Sequence, residues 1–251
     1  MGLSININKT GIKSQQLALN AISNNIANAT TEGYKSKAVR FQSLMNNQIT
    51  EEDVILNGVT PGISAGARSE VGVTDFSTGN LRDGTSALNL AIIGDGFFGV
   101  ENAAGEFFLT KDGSFTVDGT GRLVNGNGDY LVMNGALPPM ASGNEQLTVA
   151  GEGTLFLEGN GVSTQVGQLN IYMPENVEGL QPVGENYFID PNNNLTLIND
   201  AVVQSNRIEM SNVDLAGELT NMIVAQRAYS LNVKVAQSTD EMMSLINQFS
   251  I

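Results

Sequence analysis

The chain has 251 residues with no Cys, no His and no Trp, 28 Gly, and 26 acidic against 12 basic side chains, a formal charge of −14. Without Cys there is no disulfide framework, thiolate metal site or thiol nucleophile, and without His no Ser-His-Asp or Cys-His arrangement, so the composition points away from an enzyme and predicts no cofactor or metal. An acidic body repels phosphates and anionic lipid heads, and no window approaches about 18 consecutive apolar residues, so neither a nucleic-acid partner nor membrane insertion is expected.

The first element is a helix. From about Ser4 to Ala29 there is no Pro, and Ile5, Ile12, Leu19 and Ile26 recur at a strict seven-residue spacing. That spacing predicts a helix of about 40 Å with a seam facing another helix. Ala18, Ile22 and Ala29 widen the seam, and Gly33 supplies a left-handed stop. Lys9 and Lys13 stand where the apolar core of a cleaved signal would lie, so no signal peptide is read here. Residues 34–80, punctuated by Gly58, Pro61, Gly62, Gly66 and Gly72, read as extended linker after a helical continuation through residues 41–45.

Next comes a stretch of short alternating runs separated by Gly and Asn. Phe107 to Thr110, the turn 111–114 and Phe115 to Val117 read as a hairpin, which Leu123-Val124 continues. Residues 147–149, 154–157, 168–172 and 194–197 add strands. The segments beginning at Asp118 and Asp190, and Gly126-Asn127-Gly128, read as turns rather than Ca²⁺ or phosphate loops, because neither full ligand spacing nor a strand–helix context is present.

The last element, about Val213 to Phe249, is a second long helix of about 55 Å. Ser211 and Asn212 are its candidate N-caps, Asp214 places an acid in the first turn, and Gly217 costs about 1 kcal/mol relative to Ala. Leu215, Leu219, Met222, Tyr229, Val233, Ala236 and Met243 share one stripe. Val224, Ala228, Leu231, Val235, Met242, Leu245 and Phe249 share another, about 200° away around the helix. One stripe can cover the N-terminal helix; the other has no partner within the chain and exceeds the patch a monomer usually exposes. Self-assembly through both faces is therefore expected, with a helical tube wall as the natural geometry. Gln226, Arg227 and Asn232 lie between the stripes.

The fold expected is α+β: paired long N- and C-terminal helices, coiled-coil-like, with an inserted all-β domain. Residues 1–33 and 212–251 form the terminal helical domain, 34–80 and 198–211 an extended linker region, and 81–197 the β domain.

The same residues carry a family resemblance. Asn24-Asn25-Ile26-Ala27-Asn28 followed by Gly33-Tyr34-Lys35 resembles the N-terminal signature of bacterial flagellar rod and hook proteins. Ser211-Asn212-Val213-Asp214, Met222-Ile223, Gln226-Arg227-Ala228-Tyr229, Asn232 and Lys234 are similar to their C-terminal signature. Asp95-Gly96-Phe97-Phe98 and residues 109–115 resemble their central segments. The resemblance implies a structural subunit of the basal-body rod, exported through the flagellar export apparatus without a cleaved signal. It also implies a helical homopolymer around a channel, adjoining neighbouring rod and hook proteins. A short middle favours rod over hook, and the final helix leans to the distal over the proximal rod type. Lys9 and Gly217 depart from the family pattern. A carboxylate-pair hydrolase and a secreted β-domain adhesin with a helical stalk are the rival readings.

Overall fold

The computed structural model describes residues 2–45, 64–135, 146–151, 153–159, 162–198 and 201–249. The chain is α+β, with a helix at each end and a β-rich middle. It divides into two compact units, one of residues 1–27, 37–75 and 214–251 and one of residues 28–36 and 76–213.

The helical unit holds α1 (Gly2–Ala27), strands β1 (Lys37–Met45) and β2 (Ser64–Thr74), and α2 (Leu215–Phe249). β1 and β2 pair antiparallel from Lys37↔Thr74 to Met45↔Ser64. Residues 41–45 therefore belong to a strand and not to a helical continuation. A paired strand satisfies the backbone of this segment through its partner. Gly58, Pro61 and Gly62 of the expected linker lie outside the described residues.

α1 packs against both α2 and the β1–β2 ribbon. The helices run antiparallel: Asn25, near the end of α1, donates from Nδ2 to Glu218 Oε1 near the start of α2 at 2.8 Å, while Gly11 lies against Asn232. The line α1 buries deepest is Ser14, Ala18, Ala21 and Asn25, at four-three-four spacing. Ala18 of the expected seam lies on this line, Ile12, Leu19 and Ile26 are half-buried, and the Ile5 side chain lies outside the described set. Small residues win the closest position because interaxial distance is set by side-chain size at the contact. A Cβ on Gly11 would already stand 3.3 Å from Asn232 Nδ2.

The start of α2 also differs from expectation. Asp214 is the cap, its Oδ1 accepting from the Ala216 N–H at 3.2 Å, because Ser211 Oγ instead accepts from Val213 N–H and the Asn212 amide is engaged by Ser36 and Ser77. Gly217 then has a steric reason: a Cβ there would lie 2.7 Å from Asp214 Oδ2.

In the β-rich unit, a nine-stranded sheet gathers β5 (Phe97–Glu101), β6 (Phe107–Thr110), β7 (Thr116–Val117), β8 (Leu123–Val124), β9 (Tyr130–Leu131), β14 (Ile171–Pro174), β15 (Gln181–Gly184), β16 (Tyr187–Ile189) and β17 (Leu195–Ile198). A four-stranded sheet joins β10 (Met133–Gly135), β11 (Gln146–Val149), β12 (Thr154–Gly159) and β13 (Val162–Leu169). Two short pairs complete the unit: β18 (Val202–Ser205) with β4 (Leu90–Ile93), and β19 (Arg207–Glu209) with β3 (Leu81–Asp83). Residues 198–211 thus include two paired strands. The main core gathers Leu90, Ile92, Phe98, Val100, Phe115, Leu123, Leu155 and Val203, and a second cluster gathers Phe97, Leu109, Leu180 and Phe188.

The expected hairpin across 111–114 does not form. β6 pairs with β5 and β16, whereas β7 pairs with β8. Between them the chain is pressed inward: Lys111 is buried, Leu90 N–H donates to Gly113 O at 2.9 Å, and a Cβ on Gly113 would fall 1.6 Å from Leu90 O. The Asp118 and Asp190 segments are turns that use the carboxylate internally. Asp118 Oδ1 accepts from Thr120 and Arg122 N–H, and the Asp190 carboxylate from Asn192 and Asn194 N–H. These bonds to the anion hold Asp118 below the usual carboxylate range, with the Arg122 amide as the leading cause.

Candidate functional site

Two groupings of the sequence-singled residues stand out. The first is the surface of α2. Its packing partner in the helical unit is α1, so one side is sheltered and the other is not. Ala225 is buried, and Met222, Ala228, Tyr229, Asn232, Val233, Ala236 and Met243 are half-buried. Leu215 and Leu219, which belong to the same sequence stripe, remain 47 % exposed. On the opposite side Val224, Leu231, Val235, Met242 and Leu245 are 51–62 % exposed and Phe249 is 89 % exposed. Ile223 and Ile246, which the stripes omit, add to this apolar surface. Gln226 and Arg227 are exposed beside it. At 1.5 Å per residue the outer stripe, from Val224 to Phe249, runs about 38 Å. The stripe is broken only at Ser238 and Thr239, and exposed apolar surface of that extent is characteristic of interaction sites.

The second grouping collects the N- and C-terminal motif residues. Within the helical unit Asn25 is buried; its Oδ1 accepts from Lys37 N–H at 2.9 Å, and its Nδ2 donates to Lys37 O at 3.0 Å as well as to Glu218. One side chain therefore ties the end of α1 to the start of β1 and the start of α2. Asn24, its neighbour, faces outward.

Within the β-rich unit, Asn28 Oδ1 accepts from Thr31 Oγ1. Gly33 adopts φ +65°, and its N–H donates to Glu209 O at 2.8 Å. A Cβ on Gly33 would stand 2.5 Å from Asp112 N, so both conformation and space require glycine. Tyr34 is buried, and its carbonyl accepts from Asn212 N–H. Ser211 is buried as well.

At the centre sits an ion pair that sequence reasoning missed. Lys35 Nζ lies 2.6 Å from Glu209 Oε1, with both side chains 1 % exposed. Lys35 also donates to Ser77 O at 2.7 Å and Phe76 O at 3.3 Å. Glu209 Oε1 accepts a further bond from Gly79 N–H at 2.8 Å. Lys35 stood within a motif, but no local pattern distinguishes Glu209 among 26 acids. Lys111, also buried, donates to Gly94 O at 2.8 Å and lies over the Phe97 ring. Desolvation lowers its pKa from 10.5 to about 8, against an opposing attraction from Glu209. Burial likewise raises Asp112 and, with help from Asp129, pushes Tyr187 up to about 12. Lys35 and Glu209 are shut off from solvent, and their chemistry is structural: they hold chain segments together.

Three family descriptions match in chain order. Residues 5–35 match "Flagella basal body rod protein", residues 91–181 match "Flagellar hook protein FlgE/F/G D1 domain", and residues 204–249 match "Flagellar basal body rod FlgEFG protein C-terminal". The chain is similar along its length to flagellar basal-body rod proteins FlgG. It is 32 % identical to that of Buchnera aphidicola from Acyrthosiphon pisum, covering 98 % of each chain. It is also 32 % identical to that of Bacillus subtilis, covering 95 % of this chain and 96 % of the relative. The flagellar hook-basal body complex protein FlhP of Bacillus subtilis is 29 % identical over 95 % of this chain and 96 % of its own.

Proposed function

The chain belongs to the flagellar basal-body rod and hook protein family, a family of structural components of the basal body, and from that premise we propose that it polymerises helically into a hollow axial tube. In this reading the tube transmits torque and conducts exported subunits. The subunit is of the distal rod type, a reading supported by full-length similarity to several proteins named FlgG. A proximal rod or hook-type place is the second reading, favoured by the match to a hook-basal body complex protein.

The exposed outer stripe of α2 carries the proposal. Assembly is assigned to residues 1–33 and 212–251, whose helices pair in coiled-coil fashion within one subunit and meet sister subunits through Val224, Leu231, Val235, Met242, Leu245 and Phe249. The half-buried Ile12, Leu19, Ile26, Met222 and Tyr229 line the sheltered side. The remaining partners are neighbouring rod and hook proteins at the ends of the polymer and the flagellar export apparatus during delivery. Charge placed on the stripe tests this. Leu231→Asp with Val235→Asp is expected to abolish sedimentable filaments while leaving the thermal transition of the β-rich unit in place. Filaments of unchanged spacing seen by electron microscopy in that variant would overturn the assignment.

A further inference from the structure

A groove of about 420 Å³ lies between α1 and α2, inside the helical unit. Its apolar lining comes from Ile12 and Ala236, both half-buried. Lys9 and Lys13 stand exposed on its α1 side and Asp240 on its α2 side. The two lysines are one helical turn apart, so they share a face, and they are the only charged side chains of α1. Among the described residues no ion pair engages Lys9, Lys13 or Asp240. The groove is therefore an apolar slot beside two cations that no carboxylate meets directly.

The outer stripe of α2 cannot fill this groove in its own copy, because Asp240 and Met242 lie about 200° apart around the helix. A second copy can bring it there, and charge decides which part of the stripe fits. Arg227, Lys234 and Glu241 follow one another at seven-residue intervals beside the stripe, and all are exposed. Arg227 and Lys234 would meet Lys9 and Lys13 as like charges, whereas Glu241 meets them as an opposite one. Next to Glu241 the stripe offers Met242, Leu245 and Phe249, all exposed. From residue 241 to 249 the helix rises about 12 Å, the same rise as from Asn8 to Gln16 along the groove. We propose, resting on the helical assembly argued above, that the groove of one copy receives the Met242–Phe249 end of α2 from a second copy, with Glu241 set against Lys9 and Lys13. Stripe and groove are different surfaces, so the contact is heterologous, and a bound pair still offers one of each to the next neighbours.

Sedimentation of the full chain reads the critical concentration for polymerisation. Lys9→Gln with Lys13→Gln, and separately Glu241→Gln, are expected to raise it at least about tenfold, the factor that a close interfacial charge pair supplies. All three positions are exposed, so circular dichroism should show the helical transition retained. Lys9→Glu, Lys13→Glu and Glu241→Lys combined in one chain rebuild the pair with its sign reversed. That chain is expected to return to within about threefold of the unsubstituted value. Should the reversed charges beside Asp240 unfold the helical unit, the Gln variants carry the test alone. An unchanged critical concentration in a folded Lys9→Gln, Lys13→Gln chain overturns the contact and leaves the groove to some other partner. A folded reversed chain that fails to recover overturns it as well. Leu231→Asp with Val235→Asp separates this contact from the assembly it rests on. If that variant loses its filaments while the Gln variants polymerise as the unsubstituted chain does, the groove assignment alone falls. Filaments that persist in it overturn both.

Discussion

Lys35 and Glu209 are 174 residues apart in sequence and 2.6 Å apart in space, and each is tolerable in the interior only because of the other. Removing one partner leaves an uncompensated buried charge, which costs about 3–5 kcal/mol. Lys35→Met alone is therefore expected to lower the stability of the β-rich unit by that amount in urea titration. Lys111 gives a pH signature. Its ordinary value is 10.5 and its folded value about 8, so between these the unfolded chain binds more protons than the folded one. Stability then rises with pH from about 8 upward. Tyr187 opposes it only above its ordinary value of 10.0, where the folded state holds the proton longer. The urea midpoint should climb between pH 8 and 10, and Lys111→Met should flatten that climb. None of this was legible from the residues alone: Lys111 lies in what reads as a polar turn, and its burial follows from Gly113 pressing onto Leu90.

At the scale of elements, periodicity was informative where an element answers to one environment. α2 shows both apolar sides in its 3.6-residue pattern, and the structure half-buries the first stripe from Met222 to Met243 while Leu215, Leu219 and most of the second stripe stay exposed. α1 answers to two neighbours at once, α2 and the β1–β2 ribbon, so its conspicuous seven-residue series of large side chains is displaced from the tightest line, which small residues occupy. The first turn of α2 offers a test of coupling. Gly to Ala in a helix ordinarily gains up to about 1 kcal/mol. At Gly217 the new Cβ would force aside the Asp214 carboxylate that caps the helix, and losing a cap costs about 1 kcal/mol. Gly217→Ala is expected to yield no gain in the wild-type background and a gain in an Asp214→Ala background. The helical transition followed by circular dichroism measures both.

For the whole molecule, charge is divided unequally between the two units. The β-rich unit holds 17 acidic and 5 basic side chains, a balance of −12, and the helical unit 9 and 7, a balance of −2. On the proposed reading, like charge on the β-rich unit opposes association there and leaves attraction between copies to the helices. Deleting residues 213–251 is therefore expected to leave a folded β-rich unit that stays monomeric at concentrations where the full chain polymerises. Analytical ultracentrifugation distinguishes the two outcomes, and filaments from the truncated chain would remove α2 from the assembly.

The sequence by itself determined the terminal helices, the strand-rich middle and the two-sided character of α2, because each is written in spacing between near neighbours, where backbone geometry repeats every two or 3.6 residues. The tertiary structure decided the small-residue line of α1, the fate of residues 111–114, the capping role of Asp214 and the burial of Lys35 with Glu209. Those depend on which distant segment arrives alongside, and long-range pairing leaves no period in the residues that make it.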